Sequence, residues 1–86
     1  MRSLRIVREL EEAVALSWKK PVDGGRVTAY KIQRRRKRAA WEDVATSTAT
    51  EIELDHQERG VEYEYRVVGI NKAGEGRPSS VVRAVL

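Results

Sequence analysis

Apolar residues recur at every second position through five separate stretches of this chain, and that period restricts its fold more than any other feature. Val14, Leu16 and Trp18 alternate with Ala15 and Ser17, and Tyr30 and Ile32 with Lys31 and Gln33. Ile52 and Leu54 alternate with Glu51 and Glu53, Tyr63, Tyr65 and Val67 with Glu64 and Arg66, and Leu4 and Ile6 flank Arg5. Side chains of an extended strand project to opposite faces in turn. Each run therefore describes a strand with one buried and one wet face, as antiparallel sheets require. Turn-forming clusters separate the runs: Pro21-Val-Asp-Gly-Gly25, Asp55 to Gly60, and Gly74-Glu-Gly-Arg-Pro78. The spacing predicts seven strands at residues 3–8, 13–19, 28–36, 41–46, 50–54, 61–70 and 80–85. Short strands at this spacing form a sandwich or small barrel. A helix over 7–16, suggested by Val7, Leu10 and Val14, is set aside because Leu16 and Trp18 continue Val14 at period two.

Eighty-six residues make one domain, 1–86, which buries roughly 60–65% of its unfolded surface. With no cysteine there is no disulfide, thiol chemistry or thiolate metal site, and one histidine leaves little imidazole chemistry. No apolar run approaches the ~18–20 residues that cross a bilayer as a helix. The opening residues lack the apolar core of a secretory signal. The chain reads as a module of a longer protein, with its compartment, cytoskeletal or extracellular, undetermined. The net charge of +4 arises largely from one run, Arg34-Arg-Arg-Lys-Arg38; elsewhere the signs alternate closely.

With strands and turns placed, the chain resembles a fibronectin type III domain along essentially its whole length. Leu16-Ser-Trp18 followed by Pro21 is similar to the family's second strand and its exit. Gly24-Gly25 leading to Ala29-Tyr-Lys-Ile32 resembles the entry to the third, and Trp41 and Val44 fall where the fourth places a Trp and an aliphatic. The most specific match is Tyr63-Glu-Tyr-Arg-Val67 followed by Asn71, Gly74, Gly76 and Ser79, whose wording is similar to domains of giant muscle proteins and cell-surface receptors. The chain departs from the family at three positions: Gln57 stands in place of a Leu, Arg59 in place of a Pro, and Gly69 in place of an Ala. The resemblance implies an all-β, seven-stranded antiparallel Greek-key sandwich of immunoglobulin-like type. Strands one, two and five form one sheet and the remainder the other. One pole gathers the loops at 20–27, 47–49 and 71–79; the basic turn lies at the opposite pole.

The core expected from alternation and resemblance is Leu16, Trp18, Tyr30, Ile32, Leu54, Tyr63, Tyr65 and Val67. Trp18 supplies the largest single burial. Tyr63 occupies the tyrosine-corner position, so its hydroxyl is expected to bond backbone just upstream. His56 reads as a solvated turn residue; Asp55 and Glu58 beside it lack a recognised metal-ligand spacing. Ser17 has no partner base, and glycines 24, 25, 74 and 76 precede no phosphate-binding helix, so they read as turn residues. On the outer face of the sixth strand, Val68 and Ile70 are apolar where water is expected, a docking patch if the last strand adds a neighbour.

The unusual local chemistry is the basic run. In one reading Arg34, Arg35, Arg36, Lys37 and Arg38 are solvated charges at a sheet end, some with stems stacked on Trp41. In the other they form a weak, salt-sensitive patch for a heparin-like glycan or an acidic partner. No recognition helix implies sequence-specific nucleic-acid reading. The sequence thus reads as a monomeric, non-catalytic spacer or protein-interaction module without cofactor, metal or membrane insertion, its protein partner unidentified. The alternatives are polyanion binding and an engineered scaffold on the same fold.

Overall fold

The computed structural model describes residues 2–20 and 27–86, so the expected Pro21 to Gly25 turn lies outside the described residues. The described chain forms β1 (Arg2–Glu9), β2 (Val14–Lys19), β3 (Ala29–Arg36), β4 (Glu42–Ser47), β5 (Glu51–Leu54), β6 (Glu62–Asn71), β7 (Gly74–Pro78) and β8 (Val82–Val85). One sheet has the order β1-β2-β5. The other runs β4-β3-β6-β7, with β8 also paired to β6, and all pairings are antiparallel.

The inward faces of both sheets meet in one core. Leu4, Val14, Leu16, Trp18 and Leu54 from the first sheet pack against Tyr30, Ile32, Tyr63, Tyr65, Val67 and Ala84 from the second. Trp18 and Tyr30 meet edge to face with centroids 5.4 Å apart, a favoured geometry for aromatic pairs. The segment weighed as a helix is instead the β1–β2 hairpin: Leu10 N–H donates to the Ala13 carbonyl across Glu11–Glu12 at 2.8 Å.

The strand count differs from the expected seven. Gly74–Pro78, expected as a turn, is strand β7. A two-residue turn at Lys72–Ala73 brings Gly74 opposite Asn71 and Glu75 opposite Ile70, so the backbone keeps pairing with β6 despite its glycines. Gly74 takes φ 120°, which a residue with a Cβ rarely adopts. The edge then breaks at Ser79. There Ser79 N–H donates to the Val67 carbonyl, and Val67 N–H donates to Ser79 Oγ at 2.9 Å. Pairing resumes in β8, so β7 and β8 are two halves of one edge flanking β6.

The described parts of the loops fall at the two expected poles. Thr28 N–H bonds the Ile70 carbonyl and Trp18 N–H bonds the Thr50 carbonyl at one end. At the other, Gln57 N–H donates to the Glu12 carbonyl and Gly60 N–H to that of Leu86. The β1–β2, β3–β4 and β5–β6 turns gather there.

Candidate interaction surface

Strand β3 carries the basic run to this second pole, and alternation divides it. Tyr30 and Ile32 face inward, so Arg34 and Arg36 follow on the inner side, past the end of the apolar core. Arg34 stacks over the Tyr63 ring at 4.3 Å and donates Nη1 to Gln57 Oε1 at 2.9 Å and Nη2 to Glu42 Oε1 at 3.0 Å. Arg36 lies over the far side of the same region, 5.9 Å from the Tyr63 centroid, and pairs with Glu58. Arg35 points to the outer face. The basic residues therefore do not converge. Arg34, Arg35 and Arg36 each hold a carboxylate of their own chain, whereas Lys37 and Arg38 have no ion pair among the described residues.

Gln57 closes the base of the sandwich. It is buried, at the position where the family usually has Leu, and its polar atoms are satisfied. Oε1 accepts from Tyr65 Oη at 2.7 Å as well as from Arg34, and Nε2 donates to the Asp55 carbonyl at 2.8 Å. Burial pushes the Tyr65 phenol up to about 12, partly offset by the Arg34 guanidinium. The resemblance implied a bond from the Tyr63 hydroxyl to backbone just upstream, and the hydroxyl instead meets a side chain. It donates to Glu58 Oε2 at 3.3 Å, because the β5–β6 turn offers a carboxylate already held by Arg36.

The outer face of the second sheet is a continuous polar ladder. Arg35 Nε and Arg83 Nε donate to the two oxygens of Glu64 at 2.7 and 3.0 Å. Arg35 and Arg66 sandwich Trp41, each guanidinium 4.4 Å from the indole. Arg66 Nε donates to Gln33 Oε1 and Gln33 Nε2 to Asp43 Oδ1. Lys31 joins Asp43 to Glu75. The Arg35 hydrogen bond holds the Glu64 carboxyl below its usual range against the opposing effect of burial, and Arg83 adds to the lowering. The Glu75 hydrogen bond raises Lys31, with burial opposing and Asp43 assisting.

This ladder corrects the expectation for Val68. It lies opposite Lys31 and Pro78, and only 3% of it is exposed, so no apolar patch opens around it. Alternation placed Val68 on the outer face correctly; what it could not show is that the neighbours on β3 and β7 cover that face. His56 sits in the β5–β6 turn at φ 58°, and no group of three potential metal ligands is found among the described residues.

Beside Glu64, Lys37, Glu62 and Arg83 line a cleft of ≈ 290 Å³. The sequence run contributes only Lys37 to it. Arg83 was not singled out in the sequence; the signal that finds it is the register, which sets it directly opposite Glu64.

Two antiparallel sheets packed around aromatic side chains, with charged groups fixed on the outer face and at one pole, define an immunoglobulin-like β-sandwich module. The fibronectin type III model matches residues 2–85, and the chain belongs to that family. It is 32% identical over 85 residues to a titin homolog of Caenorhabditis elegans, covering 95% of this chain and a share of the relative that rounds to 0%. It superimposes on the twitchin kinase region of C. elegans with a TM-score of 0.91 and 35% identity, over 99% of this chain and 16% of that one. A crystal structure of titin domains gives a TM-score of 0.88 at 23% identity, over 98% of this chain and 30% of that one, a likeness of fold. The chain thus spans a small part of these three relatives.

Proposed function

We propose that residues 2–85 act as a non-catalytic module of a muscle-type multidomain protein, holding neighbouring domains apart and presenting the outer sheet face and one loop pole to a protein partner. The observation that carries this reading is the outer-face ladder. Seven ionisable side chains, Lys31, Arg35, Asp43, Glu64, Arg66, Glu75 and Arg83, join Gln33 and Trp41 in a single bonded array rather than moving independently in water. An ordered, mixed-charge surface suits selective protein contact, where charge complementarity sets orientation and rejects wrong partners. The long chains in which the relatives embed this module support the spacer role.

The test replaces residues 2–85, in the longer chain that carries them, with a family module of equal length and unrelated surface charge. A pure spacer tolerates the exchange. An interaction module keeps the chain's length but loses recruitment of its partner, read by cross-linking in the assembled filament. Loss of neither length-dependent assembly nor recruitment on deleting the module altogether defeats both roles.

A further inference from the structure

The cleft between β8 and the β3–β4 turn has walls of one sign and a floor of the other. Arg35, Glu64 and Arg83 lie in register across β3, β6 and β8. Glu64, with 9% of its side chain exposed, forms the floor and is saturated by the two guanidinium groups. Arg83 gives it only Nε, and 67% of the Arg83 side chain remains open, with neither Nη group bonded among the described residues. Lys37 lines the same cleft, and its ammonium donors bond no group among the described residues. Glu62 also lines it.

The turn itself supplies a second, separate observation. Ala39 N–H donates to the Arg36 carbonyl at 2.9 Å, and Arg38, the third residue of that turn, stands at φ 61°, where glycine or asparagine is favoured. A cationic side chain is thus held in left-handed backbone beside a lysine with no ion pair among the described residues, in a turn whose three preceding arginines are all paired.

We propose that the cleft between Lys37 and Arg83 is a docking site for an acidic side chain, Asp or Glu, carried on an extended segment of a protein partner. The carboxylate enters above Glu64 and takes hydrogen bonds from Lys37 Nζ and the Nη groups of Arg83. Glu62, in the cleft's lining, meets a basic residue of the same segment. A continuous polyanion fits less well. It would cross Glu62 and Glu64, and the arginines that would neutralise its other charges are engaged by Glu42, Glu58 and Glu64. The proposal rests on the interaction-module reading above and names the site through which it acts.

The test is a nitrogen-15 NMR titration of the 86-residue chain with three probes: a capped peptide of alternating Glu and Lys, a heparin tetrasaccharide, and a short oligouridylate. The expected result is a saturable shift, with the peptide alone, of amides at Lys37, Arg38, Glu62, Glu64 and Arg83. Lys37→Gln and Arg83→Gln each weaken it by roughly two- to fivefold, the effect of an exposed ion pair, while Arg36→Gln leaves it unchanged. Lys37→Gln removes no bond among the described residues, so its spectrum should report an intact fold. Peptide shifts that never saturate, or that survive Lys37→Gln and Arg83→Gln together, overturn the site. So does tighter binding of heparin or oligouridylate at the same residues, which makes the surface a polyanion site. The module exchange described above is read separately. Recruitment lost on exchange without peptide binding here keeps the module reading and removes this cleft, and the converse keeps the cleft and removes the module reading.

Discussion

A single glutamine shows how this chain satisfies charge at the base of an otherwise apolar core. Gln57 Oε1 accepts from both Tyr65 and Arg34, so the three side chains act as a unit. Gln57→Leu restores the residue usual in the family, yet it strips the buried phenol and the guanidinium of their acceptor. The variant is expected to lose about 1–3 kcal/mol in denaturant unfolding, the cost of buried polar groups left unpaired. Combining it with Arg34→Leu removes the second orphan, so the double variant should be more stable than the sum of the singles. Additive losses in that cycle would show that the groups are not coupled. Tyr65 makes a further prediction. Its phenol is held neutral by burial, at about 12 against an ordinary 10.0. Because the folded value is the higher one, this contribution to stability is complete below pH ~10 and is lost as pH rises toward ~12. Burial raises the Tyr30 phenol as well, so tyrosinate absorbance should show late titration coupled to unfolding, and Tyr65→Phe should reduce the amplitude of that late step by one phenol. Period two made Trp18, Tyr30, Ile32 and Tyr65 legible in the sequence, because burial on one sheet face repeats with the pleat. Gln57 was not legible as an inward residue: it lies in a polar turn without period, and only its contacts show that it faces inward.

At the scale of the element, the split edge flanking β6 carries the departure from expectation. Alternation cannot mark β7, since glycine and proline have turn propensity and no apolar side chain to repeat; it becomes a strand through pairing that only the register reveals. The break after it depends on Ser79 Oγ capping Val67 N–H. Ser79→Ala leaves that buried N–H without its side-chain acceptor and should destabilise the domain by about 1–3 kcal/mol, with amide exchange fastest around Val67. In the β3–β4 turn, Arg38 holds a conformation that costs a residue with a Cβ about 1–2 kcal/mol. Glu64 ties β3, β6 and β8 together, and the Arg35 hydrogen bond lowers its titration. A carboxyl depressed on folding stabilises above its ordinary range and loses that contribution as pH falls through the acid region. The acid limb of the stability profile should be flatter in Glu64→Gln than in the parent chain.

At the scale of the molecule, the layout of edges decides whether this sandwich stands alone or pairs with its own kind. Unpaired strand edges invite sheet-to-sheet addition unless they are short, bulged or charged. Here β5 has four residues and β8 four, and β1 is interrupted by register shifts between Arg2 and Arg5 and between Ile6 and Arg8. Strand β7 shifts between Val68 and Ile70 on its partner and ends in Pro78, which has no N–H to offer. Strand β4 begins with Glu42 and Asp43, both tied to cations of β3. Exposed apolar side chains are scattered rather than aligned on one strand: Val7 and Leu10 near the end of β1, Val81 and Val85 around β8. A net charge of +4 adds mutual repulsion between copies. Sedimentation equilibrium should therefore return the monomer mass across a wide concentration range, in low as well as moderate salt. Dimerisation that strengthens with salt would point to the apolar side chains of β1 and β8. Dimerisation that weakens with salt would instead point to contact between the acidic β1–β2 turn of one copy and the Lys37–Arg38 tip of another. The second outcome would displace the reading in which this surface is kept for a different protein, because the cations of the cleft belong to the same pole as Glu11 and Glu12.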